Sequence, residues 1–125
     1  MKQFNAVFPI SNEDTNALPV KEFDRAIDFY KTVLGFTVIT NDSASAVLKR
    51  DDVQIGLTWN EEHQPDQAGS CYFSVNDVES LRLELDGKGG DVGEFRIDRY
   101  DGKNYRVFFL RESENGYCFC FGQPA

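Results

Sequence analysis

The chain has 125 residues, enough for one hydrophobic core and too few for two independent ones. Its net charge of −8 works against nucleic acid and against anionic membranes, both of which are held through Lys and Arg. With 41% hydrophobic and 14% aromatic residues the chain reads as globular, and no apolar run approaches the roughly 20 residues that span a bilayer.

Residues 1–5 are followed by no apolar stretch and small-residue cleavage site of the signal-peptide kind, so a cytoplasmic protein is expected. Residues 3–10 read as a first strand, with Pro9 marking an edge or an end. Residues 11–17, rich in Asn, Asp and Glu, read as a loop. A helix is then expected from about Val20 to Leu34. Its apolar positions Phe23, Ala26, Ile27, Tyr30, Val33 and Leu34 recur at spacings of three and four, and Gly35 supplies a left-handed cap. Strands follow at 36–41, 44–50 and 53–59, joined by turns rich in Asp and Asn. Residues 60–69 are polar, contain a proline, and read as a linker.

The second half repeats this order. Residues 70–75 read as a strand, and Asn76 with Glu79 three positions on resembles a capping box. Leu81 and Leu85 give the helix an apolar side, and residues 87–90 end it. Strands are expected at 94–100, 104–111 and 117–122, with Asp101-Gly102 and Glu114-Asn115-Gly116 as turns. The fold class is therefore α+β: two tandem βαβββ modules, about 1–60 and 69–125, forming one domain over 1–125. The sheet must curve into a U, with helices on its convex side, if it is to enclose anything.

The run Asp24-Arg25-Ala26-Ile27-Asp28-Phe29-Tyr30-Lys31-Thr32-Val33-Leu34-Gly35-Phe36, inside a doubled βαβββ pattern, resembles the vicinal oxygen chelate superfamily. That group includes glyoxalase I, extradiol dioxygenases and the bleomycin and fosfomycin resistance proteins. Residues 111–121 are a looser version of its Asp-Pro-Asp-Gly-Asn…Glu ending. Enzymes of the family hold a divalent metal through four strand residues, usually His, Gln or Glu. By resemblance those positions fall close to Val7 and at Gly56, Ser70 and Cys120, a set that lacks imidazole and carboxylate donors. The only histidine, His63, falls in the linker and reads as a surface residue. No metal and no cofactor are therefore expected, and no catalytic residue is assigned. No Ser-His-Asp set, base-activated Cys or Gly-rich phosphate loop replaces the metal. The three cysteines, at 71, 118 and 120, have neither the count of a disulfide framework nor zinc-knuckle spacing, so reduced thiols are expected.

In layout the chain looks like the metal-free bleomycin-resistance type, which sequesters an antibiotic in clefts between the subunits of a dimer. The resemblance implies a small-molecule-binding homodimer, and the acidity admits a cationic, antibiotic-like guest. That group lines its groove with aromatic rings; of the equivalent positions Thr40, Ser45, Tyr72 and Asn104, one is aromatic. Strand alternation adds the cleft residues expected here: Gln54, Thr58, Ser70, Tyr72, Cys118 and Cys120, with Asn104, Arg106 and Phe108 from the strand at 104–111. Two other readings stay open. One is a glyoxalase-like lyase, isomerase or dioxygenase with a non-standard site, through Arg106 and Cys120. The other is a structural dimer with a vestigial cleft. A salt bridge to an acidic neighbour is an equal reading of Arg106.

Overall fold

A computed structural model describes residues 2–11 and 14–125. The elements follow in the order β1 (Phe4–Pro9), β2 (Leu18–Val20), α1 (Phe23–Thr32), β3 (Thr37–Asn41), β4 (Ser45–Arg50), β5 (Val53–Trp59), β6 (Ser70–Val75), α2 (Val78–Gly87), β7 (Asp91–Val92), β8 (Arg96–Tyr100), β9 (Lys103–Arg111) and β10 (Cys118–Pro124). Among the described residues the strands form two sheets. One has the order β2-β5-β4-β3; the other has the order β1-β6-β10-β9-β7, with β8 also on β9.

The doubling is visible in the pairing. β5 runs parallel to β2 and antiparallel to β4, as β10 runs parallel to β6 and antiparallel to β9. The repeated units are therefore β2-α1-β3-β4-β5 and β6-α2-β8-β9-β10. This corrects the sequence reading at one point, because the first strand of the first unit is the three-residue β2. Of the stretch 3–10, Phe4–Pro9 forms β1, which crosses to pair antiparallel with β6. A Leu-Pro-Val segment is too short and too interrupted by proline to announce itself as a strand. Residues 12 and 13 of the expected 11–17 loop lie outside the described residues.

Helix α1 buries Ala26, Ile27 and Tyr30 and ends two residues early, with Val33 as its cap. Gly35 then takes φ +75, as a chain leaving a helix for a strand requires. At α2 the cap is Asp77, whose side chain accepts the Ser80 N–H, and not Asn76. The Asn76 side chain is occupied elsewhere: its Nδ2 donates to the Lys2 carbonyl and its Oδ1 accepts from Asn5.

Both sheets turn their apolar faces into one core, which takes in Leu48, Ile55 and Leu57 from the first and Phe73, Phe119 and Phe121 from the second. Phe4 sits at the seam, its ring 5.6 to 5.9 Å from those of Phe36, Phe73 and Phe121. Asp51 fixes that strand end by accepting the N–H groups of Gln3 and Phe4 at 2.8 and 2.9 Å. Arg50 lies over the Phe4 ring and forks onto both carboxylate oxygens of Glu84 on α2, at 2.7 and 2.9 Å.

The 60–69 segment is more than a tether. His63 is 3% exposed, which overturns its reading as a surface residue. Its Nε2 lies 2.8 Å from the Asn115 carbonyl, and its ring stacks on Tyr117. No helix among the described residues is long and apolar enough to cross a membrane.

Candidate ligand-binding face

Because both sheets share one core, each has a second face turned away from it. On the four-stranded sheet, the cross-strand partners Ser45–Thr58, Val47–Gly56 and Lys49–Gln54 lie on this outer face. On the larger sheet the outer face carries Ala6 and Phe8 of β1, Ser70, Tyr72 and Ser74 of β6, and Cys118, Cys120 and Gly122 of β10. Of the residues expected to share a cleft, Gln54 and Thr58 thus lie on one outer face, and Ser70, Tyr72, Cys118 and Cys120 on the other.

Asn104, Arg106 and Phe108 do not join them. In the β9–β10 register Phe108 is opposite Phe121 and Arg106 opposite Gln123, which puts them on the helix side. Phe108 is fully buried, its ring stacked 5.2 Å from Phe121. Arg106 pairs with Glu79 of α2 and lies over the Phe95 ring. The outward residues of β9 are Tyr105, Val107 and Phe109. The cause of the error is Val107-Phe108-Phe109-Leu110, four apolar residues in a row, whose faces alternation cannot tell apart.

With the register corrected, the outer face is more aromatic than the sequence suggested. Tyr72 lies between Phe8 and Tyr105, with ring centroids at 6.5 and 6.4 Å. Gly122 makes this row possible. A Cβ there would come within 2.7 Å of the Tyr72 hydroxyl and of Val107. Beside the row, Arg96 of β8 places its guanidinium 4.6 Å above the Phe109 ring and pairs with Asp98 at 2.9 Å. Burial, then the neighbouring Cys120 and Tyr105, push the Tyr72 hydroxyl up to about 12.

The thiols behave alike. Burial, helped by Asp98, pushes Cys120 up to about 12, so it is protonated at neutral pH. Cys118 is also raised by burial, with Arg111 and Arg96 pulling the other way. A protonated thiol is a weak nucleophile. Cys120 and Arg106, on opposite faces of one sheet, cannot act on one substrate atom.

The four positions that correspond to family metal ligands do not fit a divalent ion. Val7 is opposite Phe73 and points to the core. Gly56 has no side chain, and a Cβ added there would lie 1.9 Å from the Asn16 carbonyl oxygen. Ser70 and Cys120 leave one hydroxyl and one thiol as donors, short of the three or four nitrogen, sulfur or carboxylate ligands that such an ion takes. Among the described residues, no three His, Cys, Asp or Glu side chains are grouped to hold a metal.

Known structures share this architecture. The bleomycin resistance determinant encoded on transposon Tn5 is 18% identical, with a TM-score of 0.76 over 91% of this chain and 98% of its own. A bleomycin-binding protein complexed with bleomycin is 18% identical, with a TM-score of 0.76 over 92% and 100%. A bleomycin-binding protein from bleomycin-producing Streptomyces verticillus, complexed with copper(II)-bleomycin, is 17% identical, with a TM-score of 0.67 over 91% and 97%. No curated protein matches the sequence. The model of the Glyoxalase/Bleomycin resistance protein/Dioxygenase superfamily matches residues 14–121, nearly the whole described fold, and the chain belongs to that superfamily.

Proposed function

We propose that this protein is a metal-independent binder of small molecules and performs no chemistry on them. The observation that carries the reading is the pairing of an intact aromatic face with ligand positions unable to hold a metal: Asn16 fills the space over Gly56, while Phe8, Tyr72 and Tyr105 form a continuous row. Rings in such a row offer stacking area at little entropic cost. The site residues of this reading are Gln54, Thr58, Ser70, Tyr72, Cys118 and Cys120, joined by Phe8, Tyr105 and Phe109. The fold likeness to bleomycin-binding proteins supports a binding role.

The binding unit of this reading is a homodimer in a reducing, cytoplasmic setting. Two outer faces that look away from the same core do not enclose a ligand between them within one chain. A second copy brings its four-stranded sheet against the six-stranded sheet of the first. Phe8 and Tyr100, 54% and 76% exposed, then gain cover.

Three measurements test this. Light scattering on the purified chain should give twice the 14.2 kDa chain mass. Elemental analysis should find no stoichiometric zinc, nickel, manganese or iron; finding one would overturn the metal-independent reading. Thermal-shift screening should find stabilising ligands whose effect Tyr72→Ala abolishes in a protein that still folds.

A further inference from the structure

The acidity of this chain is not where its ligand face is. On the outer faces of the two sheets the charged strand positions are Lys49, Arg96, Lys103 and Arg111, against Asp91 and Asp98. The strand positions of these faces are therefore net cationic on a chain of net charge −8. The acidic excess lies on helices and loops, at Asp24, Asp28, Glu61, Glu62, Glu79 and Asp86, all exposed.

One of these cations is held in place, and another is left without an ion-pair partner among the described residues. Arg96 lies over Phe109, its guanidinium carbon 4.6 Å from the ring centroid, and Asp98 holds it through Nε and Nη2, so Nη1 is not part of that pair. Arg111 is opposite Cys118 in the β9–β10 register and forms no ion pair among the described residues, although Asp91 is its partner across β7. Phe109, which carries Arg96, and Arg111 are two apart on the same face of β9, and both guanidinium groups are close enough to the Cys118 thiol to pull it down. Next to that spot lie Phe109 and, further along the sheet, Tyr105 and Tyr72.

Resting on the binding role proposed above, we infer that the ligand is an aromatic carboxylate, its anion held between Arg96 and Arg111 beside Cys118 and its ring carried by Phe109 and the Tyr105–Tyr72 row. Arginine presents a planar fork that matches a carboxylate and stacks on rings, which suits both parts of such a ligand. A cationic aromatic would meet the same rings and two repelling guanidinium groups. The chain's overall charge, which favours cations at long range, is screened beyond about 10 Å in ordinary salt and does not decide the contact.

Two probes of one shape separate the possibilities: 2-naphthoate and 2-naphthylmethylammonium, titrated calorimetrically into the full chain at an ionic strength of about 0.1 M. The inference expects saturable binding of the carboxylate, at least about tenfold tighter than the ammonium, since a lost charge-assisted hydrogen bond is worth about that much. Arg96→Gln and Arg111→Gln should each weaken the carboxylate about tenfold, Arg99→Gln on the other face should leave it unchanged, and all three should unfold within a few degrees of the parent. Equal or tighter binding of the ammonium overturns the inference and leaves the binding role standing. Carboxylate binding indifferent to both arginine changes also overturns it. Binding of neither probe overturns the inference and counts against the binding role as well.

Discussion

The carbonyl oxygen of Asn16 stands where a side chain at Gly56 would begin, 1.9 Å from the position of its Cβ, while the Thr15 carbonyl accepts the Gly56 N–H at 2.9 Å. Restoring a metal-binding side chain at this position is therefore not a single substitution. Gly56→Ala should cost about 2 kcal/mol or more, because backbone must move to admit the methyl group. Gly56→His should destabilise further and confer no metal affinity. Urea unfolding and a zinc titration check both; an Ala variant as stable as the parent would mean that Asn16 does not lie over Gly56.

Arg50 and Glu84 join the β4–β5 turn to α2, with Arg50 16% and Glu84 30% exposed at the side chain. Removing one partner leaves a half-buried charge alone, so Arg50→Ala and Glu84→Gln should each cost about 2 kcal/mol. Burial pushes the Glu84 carboxyl up, but Arg50 and then Lys88 more than offset it and hold it below its ordinary value of 4.5. The group is thus ionised more readily in the folded chain. Its contribution is full above the ordinary value and is lost as pH falls through the lowered one. The stability gap between parent and Glu84→Gln should shrink on acidification below that range.

Glu112 should show the opposite slope. It is 5% exposed, and burial raises its carboxyl despite the N–H groups of Asn115 and Glu114 that it accepts; the charge of Glu114 adds to the rise. Its charge also acts on Tyr30, whose hydroxyl burial raises well above its ordinary value. A carboxyl raised on folding stabilises most below its unfolded value, and that advantage is lost as pH rises through the folded one. Against Glu112→Gln, the parent should lose relative stability as pH rises past the ordinary value of 4.5 and then level off. Parallel profiles for the two proteins would refute this assignment.

His63 ties the segment between the two units to the β9–β10 loop. Its ring stacks on Tyr117, which stacks in turn on Phe119, and Asn115 accepts the N–H groups of Lys21 and Glu22 ahead of α1. His63→Ala should cost about 2 to 4 kcal/mol through lost packing and an unpaired carbonyl. It should also open residues 60–69 to proteolysis before global unfolding. Limited digestion with mapping of the first cut distinguishes this from a general loss of stability.

Much of the architecture was legible because it is written in local patterns. The stripe Phe23, Ile27, Tyr30 and the glycine at 35 mark α1, and the alternation Val53, Ile55, Leu57 marks β5 with its correct face. What escaped depended on distant partners. β2 is a strand only because β5 lies beside it, and the capping role fell to Asp77 because Lys2 and Asn5 occupy Asn76. On β9, a run apolar on both sides left the face to be decided by pairing with β10, and with it went Tyr105 and Phe109. His63 was invisible for a related reason: nothing in a polar segment says that Asn115 and Tyr117 will close over it.

Phe4 belongs by sequence to one end of the chain and by contact to both halves, pinned by Asp51 from the first and roofed by Phe73 and Phe121 of the second. Neither half is thus self-sufficient: expressed alone, each would present its apolar sheet face and helix to water. A gene cut at the 60–69 segment should yield two insoluble fragments that become soluble when made together. By the same logic, one βαβββ unit made alone should be soluble only as a pair of like chains, and carrying both units in one chain makes that partnership independent of concentration.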